Sequence, residues 1–302
     1  MPRLDVNGIT LNVTHLPQSR GQGGTPLLFV HGLAASSAFW YMAGAPLLAR
    51  LGDCTLYDLR GHGKSGVPDT GFGVTTMAND LLGLMDQMDM ERAHLVAHSF
   101  GGMIALLAAL KAPERVASMI LADVRVRPLQ QKLELPARKI PARLADRLNK
   151  IGVSIQTINN QDDGIDYLKT VAKIQLAAGD EANDLLKEIY HHPQLFKSRK
   201  NAEKWIALTE RASFVEDLKN GESFAPKDLS RLTQPMLVMY GTKSTTGPSA
   251  QAVTRLCPNA ILHEIPDVGH FFPMSQPRLF LKPAARFLRA VNAGRTSFPK
   301  KM

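Results

Sequence analysis

Short apolar runs alternate with amphipathic stretches over the first 124 residues of the chain. Residues 3–6 and 9–15 alternate apolar and polar side chains around Asn7-Gly8, a dipeptide typical of tight hairpin turns. The segments between the later apolar runs have helical spacing of apolar residues. Strands are predicted at 26–30, 54–59, 93–97 and 116–122, and helices at 37–50, 76–88 and 101–110. This alternation predicts an α/β protein with a mostly parallel, doubly wound sheet.

The pattern changes between residue 124 and about residue 232, where no clear buried strand is found. Charged segments with helical periodicity take its place, at 137–151, 163–178, 181–190, 198–210 and 213–220. Alternation then resumes, with strands predicted at 235–240 and 260–265 and helices at 249–256 and 276–292. We therefore predict an α/β core over residues 1–124 and 233–302, interrupted by an all-helical insertion over residues 125–232.

The net charge of +9 on 302 residues raises the question of whether the protein binds nucleic acid. An apolar fraction of 44% with 21% charged residues excludes a disordered chain. The excess charge lies in residues 125–231, with 19 basic and 15 acidic residues, and in residues 286–302, with five basic residues and none acidic. Dispersed charge of this kind is typical of solvated helix faces, so we expect no nucleic-acid partner.

Several function classes are disfavoured by what the sequence lacks. Cys54 and Cys257 cannot form a disulfide framework or a zinc site. The first residues contain no apolar signal-peptide region, and no apolar run approaches the roughly 18 residues of a membrane span. We expect a cytoplasmic protein without membrane insertion, without a bound metal and without a cofactor.

The first candidate for chemistry is the sequence AHSFGG at residues 97–102. A buried strand leads directly into it and a helix rich in small residues follows, which is the strand–turn–helix context of a nucleophile elbow. The tight turn requires small residues two positions before and after the serine, and Ala97 and Gly101 satisfy this requirement. Ser99 is therefore a candidate nucleophile, although a serine here could instead cap the helix.

Two further segments have the residue types that a serine nucleophile needs. Gly32, in His31-Gly32-Leu33, permits a sharp turn, so the backbone N–H groups of Leu33 and Phe100 could form an oxyanion hole. His31 itself is interpreted as structural scaffold for this loop. His270 follows the last predicted strand and could accept the serine proton, because the ordinary pKa of histidine lies near neutrality.

These segments together resemble the α/β-hydrolase fold family, in a serine esterase or thioesterase branch with a helical cap. Residues 58–65 (DLRGHGKS) are similar to the family's D-x-R-G-x-G-x-S loop, and residues 77–81 (MANDL) to its helix before the elbow strand. The resemblance covers residues 1–124 and 233–292. It implies that the insertion is the cap, and that Ser99 and His270 belong to a catalytic triad.

The triad acid departs from the family pattern. The family usually has a carboxylate in a G-x-x-D sequence after the strand that follows the cap, but here residues 241–244 read GTKS, and Ser244 occupies the position of the acid. Asp123 follows the predicted strand at 116–122, and the family's strand order places this strand next to the one at 235–240. We therefore favour Asp123 as the acid, with a cap or turn residue as the alternative, and Ser244 as a possible fourth member.

A serine at position 99 implies acyl transfer, so an ester or thioester hydrolase is the first expectation. The substrate would be a small acyl compound, either free or linked to a carrier or coenzyme A. A carbon–carbon bond hydrolase, an acyltransferase and a non-catalytic binding protein remain alternatives on the same scaffold. Four aromatic residues of the insertion could line a substrate pocket or form the core of the insertion: Tyr167, Tyr190, Phe196 and Trp205.

Overall fold

The computed structural model describes residues 3–19, 23–132, 139–159, 164–190, 199–221 and 224–298. Its strands form one eight-stranded sheet. They are β1 (Arg3–Val6), β2 (Ile9–Leu16), β3 (Leu27–Val30), β4 (Cys54–Tyr57), β5 (Ala93–His98), β6 (Val116–Ala122), β7 (Met236–Gly241) and β8 (Ala260–Ile265). The apolar runs form strands because every residue of β3 to β7 is buried, as expected for strands covered on both faces.

The strand order is β1-β2-β4-β3-β5-β6-β7-β8. The pairs β1–β2 and β2–β4 are antiparallel, and all later neighbours are parallel. The predicted mostly parallel sheet is thus confirmed. Parallel strands end at the same edge, and β5, β6 and β7 are consecutive neighbours there, so the residues that follow them lie close together.

Two compact units are distinguished within the chain, residues Met1–Gln131 with Glu216–Met302, and residues Lys132–Val215. The helices that belong wholly to the first unit are α1 (Ser37–Met42), α2 (Ala45–Leu48), α3 (Val74–Gln87), α4 (Phe100–Lys111), α11 (Gly247–Leu256), α12 (Phe272–Ser275) and α13 (Pro277–Asn292). Trp40 packs between aromatic rings in its core, with its ring centroid 5.6 Å from that of Phe29 and 5.2 Å from that of Phe280. Among the described residues, no helix is long and apolar enough to span a membrane.

The second unit has its own buried side chains. Its helices are α5 (Ala142–Lys150), α6 (Ile155–Asn159), α7 (Gly164–Ala177), α8 (Ala182–Tyr190) and α9 (Arg199–Thr209), and α10 (Ala212–Asn220) follows them across the unit boundary. Tyr190 and Trp205 are buried, and Tyr167 packs edge-on against Tyr190. These three side chains therefore pack with the unit, whereas Phe196 lies outside the described residues. The assignment of residues 125–232 as a cap stays a prediction.

Most predicted elements agree with the structure within two or three residues, and the differences have local causes. The helix predicted over 37–50 is divided into α1 and α2 because Gly44 adopts a left-handed conformation with φ of 100°. The C-terminal helix begins at Pro277 and is preceded by the short α12. Helix α6 was not predicted, because five residues are too few to show a helical period.

Candidate active site

Ser99 lies in a sharp turn between β5 and α4. Its backbone has φ of 53° and ψ of −124°, a strained conformation for a residue with a side chain. A Cβ atom on Gly101 would lie 2.5 Å from the Val30 carbonyl oxygen and 2.6 Å from that of His31. The turn therefore requires glycine at position 101, which is the physical basis of the sequence pattern.

The loop after β3 packs directly against this turn. A Cβ atom on Gly32 would lie 2.9 Å from the Ser99 Cβ, so only glycine permits this approach. His31 is fully buried; its Nδ1–H donates to the Gly32 carbonyl oxygen at 2.7 Å, and its Nε2 accepts the Leu59 N–H at 3.0 Å. These bonds require the neutral ring, and burial lowers the pKa of His31 accordingly.

His31 consequently orients the peptide group between Gly32 and Leu33. In a trans peptide the N–H points opposite to the carbonyl oxygen. Because the His31 ring holds the Gly32 oxygen on one side, the Leu33 N–H is directed to the other side. The Phe100 N–H lies at the first position of α4, immediately after Ser99. Both predicted oxyanion donors thus follow residues that are in contact with each other.

Three of the predicted site residues form one hydrogen-bonded chain. The Ser99 Oγ lies 3.0 Å from the His270 Nε2, and the His270 Nδ1 lies 2.6 Å from the Asp123 Oδ1. The carboxylate is fully buried, whereas the histidine side chain retains 27% of its exposure. Because a carboxylate can only accept, the His270 Nδ1 carries the proton, and the Nε2 is left free to accept the serine hydroxyl proton.

Strand register explains how Asp123 reaches His270. His98 pairs with Ala122, and Ala122 pairs with Met239, so β5 and β6 end at the level of Met239, two residues before the end of β7. The Asp123 N–H donates to the Met239 carbonyl oxygen at 2.7 Å. Asp123 also has φ of 53°, the same value as Ser99. The positive φ at the end of β6 therefore places the Asp123 carboxylate against the residues at and after the end of β7.

Four donors surround the Asp123 carboxylate, besides its strand contacts. The Gly241 N–H donates to Oδ2 at 3.0 Å, while His270, Ser244 and Thr246 all donate to Oδ1, the two hydroxyls at 2.5 Å and 2.8 Å. Burial alone would raise the pKa of Asp123, but His270, Ser244 and Gly241 together lower it below the ordinary value. The carboxylate is held ionised although it is inaccessible to water.

Thr246 is a site residue that sequence analysis missed. It lies two residues after Ser244 and immediately before α11, where a threonine is commonly a helix cap. Its hydroxyl does not cap the helix but donates to Asp123. In the sequence its proximity to Ser244 is the only signal, because the contact with Asp123 depends on the pairing of β6 with β7.

His98 immediately precedes Ser99 and is buried. Its ring lies 4.8 Å from the His270 ring, and its Nε2–H donates to the His270 carbonyl oxygen at 3.0 Å. Phe39 stacks on its other side with centroids 4.5 Å apart. Burial lowers the pKa of His98 to about 3, with a further contribution from His270, so the ring is neutral. Asp267, by contrast, is exposed and pairs with Lys243.

The segment over residues 58–65 has a supporting role. Asp58 is buried and accepts the backbone N–H groups of Ser37 and Lys64. Arg60 forms a buried ion pair with Asp80 on α3 at 2.6 Å. These contacts fix the loop after β4 to the start of α1 and to α3. In the part of the chain that the structure describes, no group of three or more metal-ligating side chains is clustered.

Comparison with known proteins shows the family to which this chain belongs. The alpha/beta hydrolase fold family matches residues 25–277. A Variovorax paradoxus protein, provisionally named carbamate hydrolase RutD, is 28% identical over 275 residues, which cover 89% of this chain and 94% of the relative. The sn-1-specific diacylglycerol lipase ABHD11 of Danio rerio is 25% identical over 277 residues, covering 89% and 80%.

Solved structures show the same architecture. The meta-cleavage product hydrolase CumD of Pseudomonas fluorescens has a TM-score of 0.65 to this chain, with 18% identity, and the match covers 96% of this chain and 97% of that one. The likeness at this identity concerns the fold. With a family match over 25–277 and a sheet, elbow and strand order of this kind, the chain belongs to the alpha/beta hydrolase fold family.

Proposed function

We propose that the protein is a serine hydrolase that cleaves a carboxylic ester or thioester through an acyl-enzyme on Ser99. The observation that carries this proposal is the hydrogen-bonded chain from Ser99 through His270 to the buried Asp123. A serine hydroxyl is a weak nucleophile by itself, and an adjacent neutral imidazole held by a carboxylate is the arrangement that activates it.

The mechanism proceeds in two halves. The Ser99 Oγ attacks the carbonyl carbon, and His270 Nε2 takes the hydroxyl proton while Asp123 stabilises the imidazolium. The Leu33 and Phe100 N–H groups stabilise the negative charge that develops on the carbonyl oxygen. The imidazolium then protonates the leaving alcohol or thiol, and the acyl group stays on Ser99. Water, deprotonated by His270, attacks the acyl carbon and releases the acid and the free serine.

Ser244 acts in this proposal as a fourth member that holds Asp123. Its hydroxyl replaces the carboxylate that the family usually has after β7, and it donates to the substitute acid. The substrate is proposed to be a small acyl compound, free or linked to a carrier or coenzyme A. The helical segment 125–232 is proposed to be the cap.

The proposal is tested by burst kinetics on p-nitrophenyl esters of graded chain length and on acyl-CoA thioesters. We expect a burst equal to the enzyme concentration in the wild type, and none in Ser99→Ala. Ser230→Ala is the matched control, because its hydroxyl is exposed and bonds the Lys227 carbonyl.

A fluorophosphonate probe separates the nucleophile from the choice of substrate. Labelling of the wild type but not of Ser99→Ala supports a serine nucleophile even if the tested esters are poor substrates. Absence of labelling would favour a binding protein on this scaffold. Labelling together with turnover of carbon–carbon substrates alone, or transfer to an added alcohol or thiol in place of hydrolysis, would replace ester hydrolysis by those alternatives.

A further inference from the structure

The Asp123 Oδ1 atom accepts an unusual number of hydrogen bonds. Three side chains donate to it, namely His270 at 2.6 Å, Ser244 at 2.5 Å and Thr246 at 2.8 Å. The second oxygen, Oδ2, accepts the Gly241 N–H. The two hydroxyls also lie 3.3 Å from each other. The histidine therefore shares its acceptor with two neutral donors.

Donors on one oxygen compete for the same negative charge. Each hydroxyl draws electron density from Oδ1 and stabilises the ionised carboxylate, and so weakens the attraction between that oxygen and a protonated imidazole. Removal of a hydroxyl leaves more of the negative charge on Oδ1 available to the His270 ring. The imidazolium form of His270 would then be stabilised relative to the neutral form.

We propose that Ser244 and Thr246 are positioning residues that set the pH at which His270 becomes a competent base for Ser99. They do so by competing with His270 for the Asp123 carboxylate. The proposal rests on the proposed function for its catalytic meaning, but the competition itself is a property of the folded protein. The proposal also gives a role to Ser244, which occupies the position where the family usually has its acid, and to the neighbouring Thr246.

The other charged or titratable groups near His270 do not share this oxygen. His98, on β5, contacts the His270 ring and backbone, but it is held neutral by burial. The Lys243–Asp267 ion pair lies on the loops after β7 and β8, with both side chains exposed. Exposed charges are screened by solvent, so the Asp123 carboxylate is the buried charge in direct contact with the His270 ring.

The first experiment follows the His270 ring carbon signals by NMR as a function of pH. The variants are Ser244→Ala and Thr246→Val, and each is expected to move the titration midpoint of His270 upward by about half a pH unit to one unit. Thr246→Ser retains the hydroxyl and should restore the wild-type midpoint. Thr254→Val, on α11, removes a threonine hydroxyl that bonds the Ala250 carbonyl, and serves as the matched control.

The second experiment measures kcat/KM against pH on the best ester substrate. The acidic limb should move to higher pH in Ser244→Ala and Thr246→Val by the same amount as the NMR midpoint, with a smaller change of the plateau. Should Thr246→Val fail to fold, Thr246→Ala and Ser244→Ala provide the same comparison.

The outcomes are distinguishable from failure of the proposed function. A shifted NMR midpoint in a protein without esterase activity supports the competition and contradicts the proposed function alone. Unchanged midpoints in both hydroxyl variants overturn the competition, as does a downward shift. A uniform loss of activity without a pH shift would show that the hydroxyls only support the local structure, and it would also overturn the proposal.

Discussion

The proposed nucleophile and the proposed acid lie at two neighbouring strand ends, and both have a positive φ. Ser99 after β5 and Asp123 after β6 both have φ of 53°. The elbow is built from contiguous residues, and Gly101 is required because a side chain there would meet backbone oxygens. The acid site is assembled from three separate segments, which contribute Asp123, the 241–246 loop and His270.

This difference indicates that the elbow is constrained by steric contacts between neighbouring residues, whereas the position of the acid is constrained only by its distance from His270. The elbow permits few sequences, because its tight turn excludes larger side chains. The acid needs only to be a carboxylate that reaches the His270 Nδ1, and more than one strand end satisfies this condition. A family of proteins can therefore change the position of the acid more readily than the position of the nucleophile.

The largest expected effect comes from breaking the acid side. Asp123→Asn should lower kcat by about 10,000-fold, because an amide stabilises the wrong histidine tautomer. If reach is the only requirement, Ser244→Asp in that background should recover at least about tenfold of the rate, since it returns a carboxylate to the neighbouring loop. Steady-state kinetics on the same ester measure both effects.

Asp267→Asn is the control for the removal of a carboxylate near His270. Its side chain is exposed and pairs with Lys243, so we expect a change of less than about twofold. A large loss in this variant, with Asp123→Asn nearly active, would reverse the assignment of the acid. No recovery in the double variant would show that the acid site is as narrowly constrained as the elbow.

The second effect concerns the elbow and is measured as stability. Gly101→Ala should lower the free energy of unfolding by about 2 to 3 kcal/mol, because the new methyl group meets two backbone carbonyl oxygens. Gly164→Ala is the control, since a Cβ there meets no described residue within 4 Å. Urea denaturation of both variants checks the expectation, and equal stabilities would refute the steric account of the turn.

The third effect concerns His98, which precedes the elbow serine and positions His270 through a hydrogen bond to its carbonyl oxygen. His98→Asn removes the donor to the His270 carbonyl oxygen, and we expect kcat to fall about tenfold with little change in KM. His98→Gln can place an amide N–H near the position of Nε2 and should recover part of the loss. An increase in KM alone, with unchanged kcat, would speak against a role in positioning the base.

The smallest expected effect is on the pH dependence of the unfolding free energy, to which the buried histidines and Asp123 contribute in different pH ranges. Burial lowers the pKa of His62 to about 4 and that of His98 to about 3 from the ordinary 6.5, so these rings are neutral when folded. The unfolded chain takes up their protons first, so stability is complete above pH 6.5 and declines as the pH falls below it. Asp123 has a lowered pKa, so its contribution is lost only near and below the ordinary 3.8.

His62→Asn tests this window. An asparagine amide can still donate to the Arg60 carbonyl oxygen that His62 Nδ1 contacts, but it does not titrate. Between about pH 6.5 and 5.5, the unfolding free energy of the variant should fall by about 1 kcal/mol less than that of the wild type. Parallel profiles from thermal or urea unfolding would show that the ring is protonated in the folded protein.

Much of the core fold was predictable because its strands are buried on both faces. The strands at 116–122 and 260–265 agree with the structure at both ends; the first is a mostly apolar, fully buried run, and the second begins with the apolar residues AIL. The break at Gly44 was not predictable, because the helical period continues through it and only the φ of 100° interrupts the helix. For the site, the structure brings the predicted residues Ser99, His270 and Asp123 into one hydrogen-bonded chain, whereas the contacts of Thr246 and His98 were not predicted.

The sequence by itself determined the elements with local causes. Gly32, Ser99 and Gly101 can be recognised because a turn of this kind constrains neighbouring residues in the chain. The tertiary structure decided the contacts between distant segments, namely which oxygen of Asp123 faces His270, which hydroxyls share it, and which backbone oxygen His98 holds. The physical reason is that strand order and register bring residues more than 100 positions apart into hydrogen-bond distance, and no local pattern encodes that distance.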